Sequence, residues 1–233
     1  MIISEQVAFV TGANRGFGRH LALELLSRGT KVYAGARNPE TIDIPGVIPV
    51  KLDITNAQEV AAAAMIAQDV TVLVNNAGSS TGASLLEGDP DQIALELNTH
   101  FFGTLSMVRA FAPVLEKNGG GSILNILSGL SWYSSGTLGA YTAAKAAEWA
   151  LTNDLRLNLY PRNIRVAGLH VGFMETDMTS NIDMPKSNPA DIAKTAIDGI
   201  ESNSFEIIAD EVSRQVQVGL AGGVAALYPQ LYK

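Results

Sequence analysis

The sequence contains no cysteine. That excludes disulfides, zinc–thiolate and iron–sulfur ligation, and a cysteine nucleophile. Charge is scarce too: 17% of the residues are Asp, Glu, Lys or Arg, against about 25% in an average soluble domain. The shortage predicts extra buried surface, in the core or against another subunit. Positive charge is the scarcer sign, with 16 Lys and Arg against 23 Asp and Glu and a formal net charge of -7. Nucleic-acid affinity comes largely from clustered Lys and Arg, so no nucleic-acid partner is expected. No uncharged apolar run approaches the ~20 residues of a membrane span, so no membrane partner is expected either. The opening stretch MIISEQVAFVTG lacks the basic start and long apolar core of a secretory signal. A cytoplasmic protein is the expectation.

What the chain does have is length and apolar content: 233 residues, 47% of them hydrophobic. One α/β domain of roughly 200–250 residues accounts for this, burying about 70–75% of its unfolded surface. Seven short apolar runs read as strands, at 6–12, 31–36, 47–54, 70–78, 122–128, 163–172 and 205–211. Helical patterns alternate with them, at 16–28, 56–68, 90–115, 141–159 and 189–202, with a last one from about Glu211. Asp89 before Pro90, and Asn188 before Pro189, are cap and first-turn signals, and Pro161 stops the helix before it. Continuous apolar strands alternating with helices predict a doubly wound Rossmann fold, with a seven-stranded, mostly parallel sheet covered on both faces. Residues 1–233 read as a single domain. The second and third strands are joined only by residues 38–46, too few for the usual crossover helix, so a turn is expected there.

Ligands of such a fold bind beyond the C-terminal strand ends, and the chemistry-bearing residues collect at those positions. Thr11-Gly12-Ala13-Asn14-Arg15-Gly16-Phe17-Gly18 lies where the first strand becomes the first helix. Glycines there let the backbone approach a pyrophosphate at a helix N-terminus. The end of the second strand carries Arg37 where a cofactor with a free 2'-hydroxyl is usually met by an acid. A guanidinium suits a 2'-phosphate in geometry and charge, and Arg15 stands where it can flank the same group. NADP(H) is therefore expected over NAD(H). Tyr141 and Lys145 are four apart on one helix face. A positive charge beside a phenol lowers its pKa from about 10 toward the working range. Ser128 adds a hydroxyl at the same sheet edge.

Taken together, TGANRGFG, LDIT at Leu52 to Thr55, NNAG at Asn75 to Gly78, Asn98, Ser128 and YTAAK resemble the short-chain dehydrogenase/reductase family of about 250 residues. The resemblance implies that Tyr141 is the general acid/base and that Ser128 hydrogen-bonds the substrate oxygen. It implies that Lys145 binds the nicotinamide ribose and lowers the Tyr141 pKa, and that Asn98 holds a water in the proton relay. The implied cofactor set comprises Gly12, Asn14, Arg15, Gly16, Phe17 and Gly18 in the turn, and Arg37, Asp53 and Ile54 after the next strands. Asn75, Ala77, Gly78, Tyr141, Lys145, Gly172 and Thr176 complete it. Asp53 contacts the adenine in this scheme, and Asn75 supports the sheet beside the cofactor. The family's Pro-Gly after strand six is Val171-Gly172 here, which weakens the loop's rigidity.

The implied activity is an NADPH-dependent carbonyl reductase, equivalently an alcohol dehydrogenase, for small to medium uncharged ketones, aldehydes or secondary alcohols. The alternative is a non-catalytic dinucleotide-binding regulator of the same fold. The substrate lid is short, at about 173–188, and no metal is expected, since His20, His100 and His170 lack ligand spacing. His100 reads as a satisfied helix histidine. His170, Trp132 and Tyr133 either wall the pocket or serve structure, and Met174, Met178 and Met184 either line the pocket or pack the lid. The nearly uncharged tail 218–232 reads either as core packing or as a subunit contact. The family pairs its long helices between subunits, so a homo-oligomer, dimer or tetramer, is expected.

Overall fold

The computed structural model describes residues 1–232. The strands are β1 (Val7–Thr11), β2 (Lys31–Ala36), β3 (Ile48–Lys51), β4 (Val72–Asn75), β5 (Gly121–Ile126), β6 (Ile164–His170) and β7 (Glu206–Ile208). They form one sheet in the order β3-β2-β1-β4-β5-β6-β7. Every pairing is parallel, so the sheet is more uniform than the sequence required. The order reverses between β1 and β4, which opens a crevice at their C-terminal ends, where such folds bind ligands.

Strand periodicity divides the core into two layers. Ala8 and Val10 of β1, with Val72 and Val74 of β4, pack under α1 (Gly16–Ser27) and α6 (Pro189–Glu201). Phe9 and Leu73 point to the other face, toward α2 (Ala57–Ile66), α4 (Thr104–Lys117) and α5 (Gly139–Leu159). The caps fall where the side chains predict. Asn56 accepts from the backbone N–H of Gln58 and Glu59, Asp89 from Asp91, and Asn188 from Ala190. Between β2 and β3 there is only a 3-10 turn, Pro39–Thr41.

The helix read at 90–115 is unbroken but not α-helical throughout. It runs as α3 (Pro90–Leu97), then a π-helical stretch, Asn98–Gly103, then α4. Such stretches are rare and gather at functional sites. After β7 come α7 (Glu211–Leu220) and α8 (Gly223–Leu227). The tail is not core: Val218 and Leu231 are 71% and 69% exposed.

Candidate active site

The loops after the strands converge on a cleft of about 600 Å³. At one end lies the glycine turn. Gly12 has φ +65°, a left-handed conformation, and an added Cβ would come within 3.0 Å of Ala77 Cα. That close backbone approach is what a turn built around a phosphate requires. Thr11 ties the turn to β4, its Oγ1 accepting from the backbone N–H of Asn76 and Ala77, both at 2.9 Å. Gly12, Asn14, Arg15, Gly16 and Phe17 line the cleft, as do Arg37, Asp53, Ile54, Ala77 and Gly78. Arg37 is exposed and has no carboxylate partner among the described residues. Arg15 meets only Asp177, at 3.4 Å and in solvent, a pairing of a kind worth about 0–1 kcal/mol. A left-handed glycine cradle, an adjoining helix N-terminus and an unpaired guanidinium fit a phosphorylated dinucleotide.

Three residues placed at the site by sequence are elsewhere. Gly18 does not line the cleft; it packs α1 against the turn, where an added Cβ would meet Gly12 O at 2.2 Å. Asn75 does not line the cleft but supports the sheet as expected, its Nδ2 donating to Asn125 Oδ1 at 2.8 Å, because it is still within the strand. Asn76, one residue past the strand end, reaches the cleft and donates to Thr11 O at 2.9 Å. Asn98 is exposed, on the outer side of its helix. The residue of that segment that enters the cleft is His100, which is 1% exposed.

Ser128 lies just past the β5 end and is fixed reciprocally. Its Oγ accepts from Leu130 N at 3.1 Å, and its backbone N–H donates to Ser131 Oγ at 3.2 Å. Tyr141 faces it from the first turn of α5. Lys145, 5% exposed, donates from Nζ to Ile126 O at 2.6 Å and to Glu148 Oε2 at 2.7 Å. Nζ stands 5.8 Å from the Tyr141 ring centre. Lys145 pushes the Tyr141 pKa down, as expected, but is outweighed. Burial raises it most, the Lys145 charge opposes that, and Glu148 adds to the rise, so the phenol sits above its ordinary value. Sequence reading missed Glu148 because one helical turn past Lys145 carries no motif.

His100 and Glu96, a turn apart, complete this buried group. His100 Nε2 is 2.9 Å from Ser79 O and 3.3 Å from Glu96 Oε2. The backbone N–H of Ser79 also points at Nε2, at 3.3 Å. Nδ1 has no hydrogen-bond partner and lies 3.8 Å from Glu148 Oε2. The imidazole meets the Tyr141 ring edge-on at 5.3 Å. Glu96 accepts from Ser79 Oγ at 2.8 Å and from Thr81 N. Burial raises its carboxyl, but the His100 contact and then these hydrogen bonds prevail and hold it at about 2. The phase of the inward stripe Phe111, Met107, Thr104, carried back in helical steps, reaches His100 and Glu96. That signal was present in the sequence.

The far end of the cleft is apolar: Leu95, Leu130, Leu138, Phe173, Val212 and Val216 line it, with Tyr133. Tyr133 stacks on Tyr228 at 5.2 Å, whereas Trp132 turns away and stacks on His170 at 3.6 Å. Met174, Met178 and Met184 all line the cleft. Gly172 and Thr176 line it too, and Gly172 N donates to Asp210 Oδ2 at 2.6 Å. Asp210 also caps α7, and so restrains the loop that lacks its proline.

Residues 6–187 match the family described as short chain dehydrogenase. A 3-ketodihydrosphingosine reductase from Bacteroides thetaiotaomicron is 32% identical over 180 residues, covering 76% of this chain; the chain spans 66% of that relative's length. An uncharacterized oxidoreductase from Staphylococcus aureus is 28% identical over 214 residues, covering 84% of this chain and 91% of that one. Among solved structures, a short chain dehydrogenase from Burkholderia cenocepacia J2315 in complex with NADP is 38% identical, with TM-score 0.95 and 100% of each chain covered. One from Burkholderia phymatum in complex with NAD is 25% identical, with TM-score 0.83 and 93% of each covered. With its parallel sheet, glycine cradle and Ser–Tyr–Lys cleft, the chain belongs to the short-chain dehydrogenase family, oxidoreductases that act on CH–OH and carbonyl groups with a nicotinamide cofactor.

Proposed function

We propose that the protein is an NADPH-preferring carbonyl reductase for small to medium uncharged ketones and aldehydes, equivalently a dehydrogenase of the corresponding secondary alcohols. The observation that carries this reading is the composition of the cleft. Ser128, Tyr141 and Lys145 share the cleft with the apolar side chains Leu95, Leu130, Leu138, Phe173, Val212 and Val216, and such a wall favours uncharged ligands. The unpaired Arg37 supports the 2'-phosphate, as does the NADP bound to the Burkholderia cenocepacia relative.

A bound nicotinamide supplies the hydride. Gly12, Asn14, Gly16 and Phe17 would hold the pyrophosphate end, Arg15 and Arg37 the 2'-phosphate, and Asp53 and Ile54 the adenine side. Ala77, Gly78, Lys145, Gly172 and Thr176 would hold the nicotinamide half. Ser128 Oγ and the Tyr141 hydroxyl donate hydrogen bonds to the substrate oxygen and polarise its carbonyl. As the carbon becomes tetrahedral, the Tyr141 O–H bond breaks and an O–H bond forms on the product oxygen. Lys145 stabilises the phenolate left behind. His100 stands in the cleft where Asn98 was expected.

We read the chain as one catalytic domain with a lid at about 173–188, located in the cytoplasm. We also read it as a homo-oligomer, which would cover the exposed Phe102, Leu157 and tail residues Val218 and Leu231. The test of function is NADPH oxidation with a panel of uncharged ketones and aldehydes, beside Tyr141→Phe. Loss of the acid should cost about 10²–10⁴-fold in kcat/KM. Cofactor binding without turnover across the panel would favour a regulatory protein.

A further inference from the structure

The loop that leaves β6 and the helix that follows β7 meet at one side chain, Asp210. Its Oδ2 accepts from the backbone N–H of Gly172 at 2.6 Å, and its Oδ1 from that of Ser213 at 2.8 Å. The first bond holds the loop that runs on to Thr176 in the cleft wall. The second caps α7, which brings Val212 and Val216 to that wall. The fit is close on the Gly172 side, where an added Cβ would stand 3.0 Å from Asp210 Oδ2 and 3.7 Å from Val212 Cβ. Backbone bonds tie the same junction to the reacting groups. Ala209 N donates to His170 O at 2.9 Å, and Gly129 N, beside Ser128, donates to Val171 O at 3.1 Å. Past Gly172 this anchoring stops. Among the described residues, the hydrogen bonds of 173–187 stay within that segment, except the solvent-exposed contact of Asp177 with Arg15. The Gly172–Asp210 bond is thus the last firm hold on the loop before Thr176.

We propose that Asp210 is a positioning residue for the nicotinamide half of the cofactor. It fixes the loop bearing Gly172 and Thr176 against α7, and so sets the nicotinamide in register with the apolar wall that receives the substrate. This rests on the reading of Gly172 and Thr176 as nicotinamide-side contacts. A hydrogen bond to a carboxylate is stronger than one between neutral groups. A loop already held by one gives up less freedom when a ligand binds, which raises affinity without any new contact. One carboxylate therefore serves both sides of the reaction centre, the cofactor through Gly172 and the substrate wall through α7.

The experiment compares two ligands by calorimetric titration of the full chain: NADP+, and adenosine 2',5'-bisphosphate, which lacks the nicotinamide half. Asp210→Ser keeps a hydroxyl that caps α7, but one short oxygen cannot also reach Gly172. Its Kd for NADP+ should rise by about 10- to 100-fold, the scale of one hydrogen bond to a charged group, with the Kd for the bisphosphate unchanged. Unaltered NADP+ binding, or equal weakening of both ligands, overturns the proposal. Gly172→Ala tests the same pair from the other side with the cap intact. Gly172 is not left-handed, so alanine there is resisted by crowding against Asp210 Oδ2. It should weaken NADP+ in the wild-type background and add nothing in Asp210→Ser; equal effects in both backgrounds contradict the coupling. A wild-type protein that binds the bisphosphate as tightly as NADP+ refutes the nicotinamide-side reading itself, and the proposal with it. That result differs from a failure of Asp210 alone, and none of these measurements depends on turnover.

Discussion

His170 grips the backbone of Ser128 from behind: its Nδ1 lies 3.1 Å from the Ser128 carbonyl oxygen. Its Nε2 lies 2.6 Å from Glu206 Oε1. Trp132 covers its face at 3.6 Å, and Arg156 meets Glu206 at 3.0 Å. His170 never touches the cleft, yet it fixes where the Ser128 hydroxyl stands. His170→Phe keeps the stack and loses both hydrogen bonds. Its kcat/KM for ketone reduction should fall by about 10- to 100-fold, the scale of a small misplacement of a reacting group. Steady-state kinetics beside a melting curve would separate this from unfolding, and an unaltered kcat/KM would remove His170 from the catalytic frame.

Glu96 ties the site to acid stability. Its folded-state carboxyl lies at about 2, against 4.5 for the free group. A depressed folded value means the contribution is fully present above about pH 4.5 and is lost as pH falls toward 2. Its size is on the order of 3 kcal/mol. In urea denaturation, wild type should exceed Glu96→Gln by about this amount at pH 6, and the gap should narrow through pH 4 to 3. A gap independent of pH would assign the loss to packing alone.

Arg37 sets cofactor choice in the proposed function. Charge-assisted hydrogen bonds to a phosphate contribute about 1.5–3 kcal/mol, or roughly 10- to 100-fold in affinity. Arg37→Asp should lower kcat/KM for NADPH by that factor and leave NADH equal or improved, since a carboxylate accepts from a free ribose hydroxyl. A wild-type protein that prefers NADH tenfold would refute the assignment.

The fold was legible because each strand is a short apolar run, and α2, α3, α6 and α7 announce their starts with Asn, Asp or Pro. Ser128, Tyr141 and Lys145 were legible because their spacing follows from a strand end and one helical turn. Misplacements arose where one residue decides between sheet and cleft. Asn75 and Asn76 are adjacent, but only the second has left the strand. Asn98 and His100 differ by two positions, which on a helix is nearly the opposite face. The balance of charge around Tyr141 was illegible, because it depends on Glu148 and Glu96 arriving from two different helices.

The backbone pairing of Met174 with Ser187 closes the segment above the cleft into a loop with both feet on the body. Its interior brings Met178, Ile182 and Met184 over the opening, and neither foot bears a proton-transfer group. That part of the cleft wall thus sits on a length of chain separate from Ser128, Tyr141 and Lys145, so its contents can be exchanged without touching them.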